Sequence, residues 1–194
     1  MHLAHPQKSN QTSLSCSDEM NVPSIFSFQL ELISLSLEMI QALLNRPQTQ
    51  PETLPQPYFP PEGSEISRYV LELREQQLLR DPLEQPWLLR TIVARDKPAT
   101  LLGRIGFHAP PDFDGRVELG YEIFAPFWGH GYAQEAARAM MDWAELTHDT
   151  RRFLASVSPW NAPSLNIVGK LGFIQIGSQM DEIDGEEWVF ERQV

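Results

Sequence analysis

Apolar residues along this chain change their spacing several times, and each change marks an element. Alternation through Phe26, Phe28, Leu30 and Leu32 predicts a strand. Leu37, Ile40, Leu43 and Leu44 then recur at helical spacing behind Ser36, a residue type that caps helices, as far as Asn45. One continuous helix over 27–45 fits the same short run and stays open as the alternative. Helical spacing returns at Ile66, Tyr69, Val70 and Leu73, with Ser64 able to cap, and predicts a helix over 64–80 closed by Pro82 and Pro86. Two runs rich in apolar and β-branched residues, 87–95 and 100–108, flank Asp96-Lys97-Pro98 and predict a hairpin. A turn over 109–116, with Pro-Pro and Asp-Gly, leads into a third antiparallel strand. There Val117, Leu119, Tyr121 and Ile123 alternate with Glu118, Gly120 and Glu122. A helix follows through Ala133, Ala136, Ala137, Met140, Met141 and Ala144, and then a strand over 153–157. Asn161 caps a short helix carrying Leu165, Val168 and Leu171, which Gly172 ends. Strands over 173–176 and 187–191, with Asp184-Gly185 in their connection, close the chain.

The order β-α-linker-α-βββ-α-β-α-ββ predicts an α/β (α+β) fold, with a mixed, mostly antiparallel sheet of about seven strands flanked by helices. A single domain is expected over 25–194. Residues 1–24, rich in Ser, Gln and Asn, are expected to form a mobile extension. Residues 46–63 carry Pro47, Pro51, Pro55, Pro57, Pro60 and Pro61 and are expected to be a stiff connector within the domain.

Charge and cysteine content narrow the function. The 194 residues carry a formal net charge of -11 and show no cluster of Lys and Arg, which argues against a nucleic-acid partner. The single cysteine, Cys16, has no internal partner for a disulfide, and the five histidines show no metal-site spacing, so no metal is expected. No apolar run spans a bilayer and no signal-like segment opens the chain, so the protein is expected to be cytoplasmic, without a membrane partner.

Candidate chemistry is concentrated in one stretch. Trp128-Gly129-His130-Gly131-Tyr132-Ala133 joins the alternating strand to the Ala-rich helix. Glycines let backbone approach a ligand closely, and the first amides of a helix lack intrahelical partners, so the turn can cradle an anion such as a phosphate. A tight strand-to-helix turn with no ligand is the competing reading. The turn lacks the Gly-Lys-Ser/Thr of a P-loop and does not open a βαβ unit, which disfavours nucleotide hydrolysis and dinucleotide binding.

These segments resemble the GNAT superfamily of acetyl-CoA-dependent N-acetyltransferases, in particular its RimJ/RimL-like branch, which includes ribosomal-protein N-terminal acetyltransferases. Gly120-Tyr121-Glu122-Ile123, the stretch from Trp128 to Ala136, and Asn161-Ala162-Pro163-Ser164 followed by Lys170-Leu171-Gly172-Phe173 carry the likeness. It runs from about Phe28 to the C-terminus. The resemblance implies a sheet whose central parallel strands splay apart and acetyl-CoA as co-substrate. It implies pyrophosphate binding by the main chain of Gly129, His130, Gly131, Tyr132 and Ala133. It places the pantetheine arm against Ile123 and Phe124, with Asn161 beside it. Relatives often begin the glycine motif with Gln or Arg, where Trp128 stands here.

Acetyl transfer to an amine requires deprotonation of the amine, polarisation of the thioester carbonyl and protonation of the leaving thiolate. The family position of the base falls on Glu118, with Glu122 on the same face as the second candidate; solvated or salt-bridged carboxylates are the plain reading of both. Many relatives place a tyrosine acid where Val168 stands, and branch resemblance moves that role to Ser164, otherwise a first-turn helix residue. Tyr58, Phe59, Trp87, Trp128 and Trp160 are candidates for an acceptor pocket or for core packing. The expected activity is acetylation of an amine, on a protein N-terminus or a small molecule, by a monomer or homodimer. A non-catalytic acyl-CoA-binding or regulatory module on the same fold is the alternative.

Overall fold

A computed structural model describes residues 22–45, 60–61, 64–97, 100–181 and 185–194. Most of the expected N-terminal extension and proline-rich connector therefore lies outside the described residues, as do Tyr58 and Phe59. Pro23, within the expected extension, is held in place: its carbonyl accepts from Arg90 Nη1 at 3.1 Å.

The first apolar run folds as two strands, β1 (Ile25–Phe26) and β2 (Leu30–Ser34), with Phe28 exposed in the turn between them. This hairpin supplies a strand beyond the seven expected. It also disposes of a continuous helix over 27–45. Helix α1 (Leu37–Leu44) begins at Ser36, whose Oγ accepts from the Met39 amide at 3.3 Å. Helix α2 (Arg68–Arg80) starts four residues later than expected: Ser67, not Ser64, holds the N-cap position, and the Ser64 amide donates to the Pro61 carbonyl. The remaining elements are β3 (Arg90–Ala94), β4 (Leu101–Phe107), β5 (Arg116–Ile123), α3 (Tyr132–His148), β6 (Arg152–Val157), α4 (Ala162–Lys170), β7 (Ile174–Asp181) and β8 (Gly185–Gln193).

Among the described residues the strands form one eight-stranded sheet in the order β1-β2-β3-β4-β5-β6-β8-β7. All neighbours are antiparallel except β5 and β6. That parallel pair is joined only over Arg116↔Arg152, Val117↔Phe153 and Glu118↔Leu154. Beyond Glu118, β5 continues along β4 while β6 continues along β8, so the two strands part. The expected splay is present, and it opens in the middle of the sheet.

Packing fixes which helices face which side of that gap. Ala136, Met140 and Ala144 of α3 and Val168 of α4 bury against Leu102, Phe107, Leu119 and Phe153. Ile40 of α1 and Leu71 and Leu78 of α2 bury against Val93, Leu101 and Phe124. Leu101 and Leu102, adjacent in β4, fall in different clusters because successive strand residues point to opposite faces. Trp87 belongs to the first cluster, 5.1 Å from the Trp143 ring, and is core. Helix α3 is also fastened to the sheet edge. The Glu135 carboxylate accepts from Ser27 Oγ at 2.7 Å, from the Gln29 amide at 2.6 Å and from Gln29 Nε2 at 2.7 Å.

Candidate functional site

Strand β5 carries the site on both of its faces, and its hydrogen bonds set the geometry. The His108 amide donates to the Glu118 carbonyl at 2.8 Å, and the Phe124 amide donates to the Leu102 carbonyl at 2.9 Å. Even-numbered residues of β5 thus turn their main-chain groups to β4, and odd-numbered ones turn theirs to the β6 side. Past Glu118 that side is the gap, so the main chain of Tyr121 and Ile123 faces it. The Ile123 carbonyl accepts from Trp128 Nε1 at 2.6 Å. Phe124 is buried, and its carbonyl accepts from the Phe127 amide at 2.9 Å. Both main-chain groups of Phe124 thus have protein partners, as the Ile123 carbonyl has in Trp128.

A cavity of about 790 Å³ opens there, a size suited to a cofactor or substrate. Tyr121, Glu122, Ile123, Gly129, Gly131, Tyr132, Ala133, Asn161 and Ser164 line it; Glu118, Phe124 and His130 do not. One end is the N-terminus of α3. Gly129 and Gly131 hold φ of +79° and +83°, the left-handed region that side chains resist, and turn the chain into the helix. The first intrahelical bond runs from the Glu135 amide to the Gly131 carbonyl. The amides of Tyr132, Ala133 and Gln134 consequently have no helical partner, and all three residues line the cavity. Together with the helix dipole they are suited to an anion. The His130 Nδ1 lies 2.8 Å from the Trp128 carbonyl, and its ring stacks on Tyr132 at 5.5 Å, which braces the turn.

The opposite wall is α4. Asn161 Oδ1 accepts from the Ser164 amide at 3.1 Å, so Asn161 caps the helix and lines the cavity at once. Lys170, in the last turn, is the one lysine or arginine on the lining among the described residues. Val168 is buried and faces the core. Trp128 and Trp160 are exposed, and Trp128 lies on the cavity rim.

Tyr121, placed by periodicity on the apolar face of β5, is the lining residue that was not among the expected site residues. Tyr121 lines the cavity, and its phenolic oxygen is buried without a hydrogen bond of good geometry among the described residues, although the Ser164 side chain approaches it. Burial pushes the phenol pKa up, and the adjacent Ser164 side chain opposes the shift. A buried polar group without a partner costs about 1–3 kcal/mol. Tyr121→Phe is accordingly expected to hold or raise the stability of the ligand-free protein by up to about 1 kcal/mol, read as a thermal midpoint no lower than wild type. A drop of several degrees would show that the hydroxyl is satisfied.

The even-numbered face carries the carboxylates. Glu122 Oε2 pairs with Arg104 Nε at 2.9 Å, a salt bridge that occupies the second base candidate. Glu118 Oε1 accepts from Ser156 Oγ at 2.6 Å, and His108 Nδ1 lies 3.5 Å from Oε2. Contact with His108 holds the Glu118 carboxyl below the usual range, against the opposing effect of burial, and Ser156 adds to it. The described residues contain no group of three or more metal-ligating side chains, and no helix long and apolar enough to cross a membrane.

Comparison with known proteins accords with this architecture. Residues 30–174 match the model of the acetyltransferase (GNAT) domain. An uncharacterised N-acetyltransferase, p20, of Bacillus licheniformis is 32% identical over 81 residues, 42% of this chain and 46% of that protein. The match spans about half the length of the curated relatives. Among solved structures, the ribosomal-protein-S5-alanine acetyltransferase from Vibrio fischeri superposes with a TM-score of 0.60 at 16% identity, over 88% of this chain and 96% of that one. RimL, a ribosomal L7/L12 α-N-protein acetyltransferase in complex with coenzyme A, gives 0.61 at 17% identity, over 89% and 98%. The latter two likenesses speak to the fold. With the domain model matching well over half of its length, the chain belongs to the GNAT acetyltransferase family.

Proposed function

We propose that this protein is an acetyl-CoA-dependent N-acetyltransferase in which an amine attacks the thioester directly. The observation that carries the reading is the cavity in the splay between β5 and β6, with the α3 amides at one end and Tyr121 and Ser164 on its wall. Those amides, with Lys170 across from them, suit a pyrophosphate, and the β5 main chain at Tyr121 and Ile123 suits an extended amide-bearing arm. The co-substrate supplies the activated acetyl group. Glu118 takes the proton from the amine on the even-numbered face of β5. Ser164, with Tyr121 beside it, gives a proton to the departing sulfur on the other. The N–C bond forms and the C–S bond breaks; an ammonium acceptor loses two protons on the way to the amide, one taken by Glu118 toward solvent and one making good the proton that Ser164 gives to sulfur.

Pyrophosphate contact falls to the main chain around Gly129, Gly131, Tyr132 and Ala133, with His130 in a bracing role. The acceptor is an amine, either the α-amine of a protein, as the names of the two ribosomal-protein acetyltransferases state for those enzymes, or a small molecule. The test is an acetylation screen of peptides and small amines with acetyl-CoA, read as thiol release and as product mass. A product one acetyl group heavier is the expected result. Tight binding of acetyl-CoA without any acetylated amine would identify a binding module instead.

A further inference from the structure

Glu118 sits at the centre of a chain of contacts that joins β4, β5, β6 and β7. Ser156 Oγ donates to Glu118 Oε1 at 2.6 Å. Its own lone pair is engaged by Gln179 Nε2 at 3.1 Å, which turns the hydroxyl hydrogen toward the carboxylate. Oε1 being taken, Oε2 is the oxygen that faces His108 Nδ1 at 3.5 Å. His108 is held at its backbone. Its amide bonds Glu118 across the strands, and its carbonyl accepts from Arg74 Nη1 and Gln77 Nε2, both at 2.8 Å, from two buried side chains of α2. The imidazole lies over Gly120, where a Cβ would come within 2.7 Å of Nε2. Glycine at 120 is thus what admits the ring. The His108 side chain is 52% exposed and that of Glu118 28%, so the contact points outward, from the partly buried carboxylate to water.

Resting on the N-acetyltransferase reading above, we propose that His108 is a positioning residue that holds Glu118 and carries the acceptor amine's proton from it to solvent. The proton leaves the ammonium nitrogen for Glu118 Oε2 and crosses to Nδ1 of the Nε2–H imidazole tautomer as the proton on Nε2 departs to water; exchange with water then returns the ring to that tautomer. Nothing is oxidised, and the amine nitrogen keeps its lone pair for the carbonyl carbon. A carboxylate that already accepts from Ser156 at 2.6 Å holds a further proton poorly, so turnover is served by an onward acceptor. Histidine is the side chain suited to pass protons near neutrality. The charged groups facing the pair are Glu118 itself, Arg74 on α2, Asp181 on β7 and, through Gln179, Glu187 on β8.

His108→Gln, His108→Ala, Gly120→Ala and Glu118→Gln, each with its thermal midpoint, test the relay through kcat and KM between about pH 5.5 and 9. In His108→Gln, kcat is expected to fall about tenfold or more and the acid limb of its pH profile to flatten, with the acetyl-CoA KM unchanged. Added imidazole is expected to restore turnover to His108→Ala. Gly120→Ala, which displaces the ring, should flatten the same limb with Glu118 intact. Wild-type kcat and an unchanged limb in His108→Gln would overturn the relay. Loss in Glu118→Gln alone would do so while leaving Glu118 as the base; full activity in both would remove Glu118 as well. A wild-type protein that acetylates no amine overturns both readings together.

Discussion

Gly131→Asp is expected to raise the dissociation constant for acetyl-CoA at least ~100-fold, about 2.7 kcal/mol at 25 °C, while the protein stays folded. Two effects add. Gly131 holds φ +83°, where a side chain costs about 1–2 kcal/mol. The new carboxylate also occupies the N-cap position of α3, where it can accept from the helix amides and oppose the pyrophosphate that they would otherwise bind. Gly131→Ala separates the two, since it carries the strain without the charge, and about a fivefold loss is expected from it. Calorimetric titration with acetyl-CoA measures both. Undiminished binding by Gly131→Asp would remove the α3 terminus from the cofactor site, and with it the basis for assigning the cavity.

The second large effect is expected from Glu118→Gln, which keeps the shape of the side chain and removes its charge. A general base contributes about 10²–10⁴-fold, so kcat should fall by that order with acetyl-CoA affinity unchanged, the side chain lying on the face of β5 away from the α3 amides. Glu122→Gln should cost less in turnover, because Glu122 is engaged by Arg104. A pH dependence of stability accompanies the change. The folded pKa of Glu118 lies below the ordinary 4.5, so its stabilising contribution is present above that value and is lost as the pH falls through the folded pKa. The stability gap between wild type and Glu118→Gln should therefore be open at neutral pH and close in acid. A kcat within about threefold of wild type would rule Glu118 out as the base.

Local rules carried the element order a long way and failed where a rule had two answers. Ser64 and Ser67 are both eligible caps, and Ile66 fits helical spacing, yet the Ser64 amide is spent on Pro61 and the helix starts after Ser67. The alternation through Phe28 looked like one strand because a tight hairpin keeps the period while reversing the chain; Phe28 is 90% exposed. Gly177 and Ser178 resemble a turn, but β7 runs through them to Asp181 as an edge strand open on both faces, where no burial pattern guides the eye. The glycine turn and the helix it opens were legible because they are nearly contiguous, strand into turn into helix. The contacts gathered around Glu118 were not. Glu118, Ser156 and Gln179 come from three strands and His108 directly follows a fourth, and what brings them together is register, which has no signature in any one of them.

Glu135 makes the anion site workable at a cost the fold has already covered. A carboxylate in the first turn of α3 favours the helix but would repel a phosphate arriving at the same end. Here Ser27 and Gln29 direct three donors at its oxygens, so its charge is drawn toward the β1–β2 turn and away from the cavity. The two-residue strand β1, too short to persist alone, is in turn pinned by the helix. The outer edge of the sheet and the N-terminus of α3 thus share one side chain, and loosening either should be felt in the other.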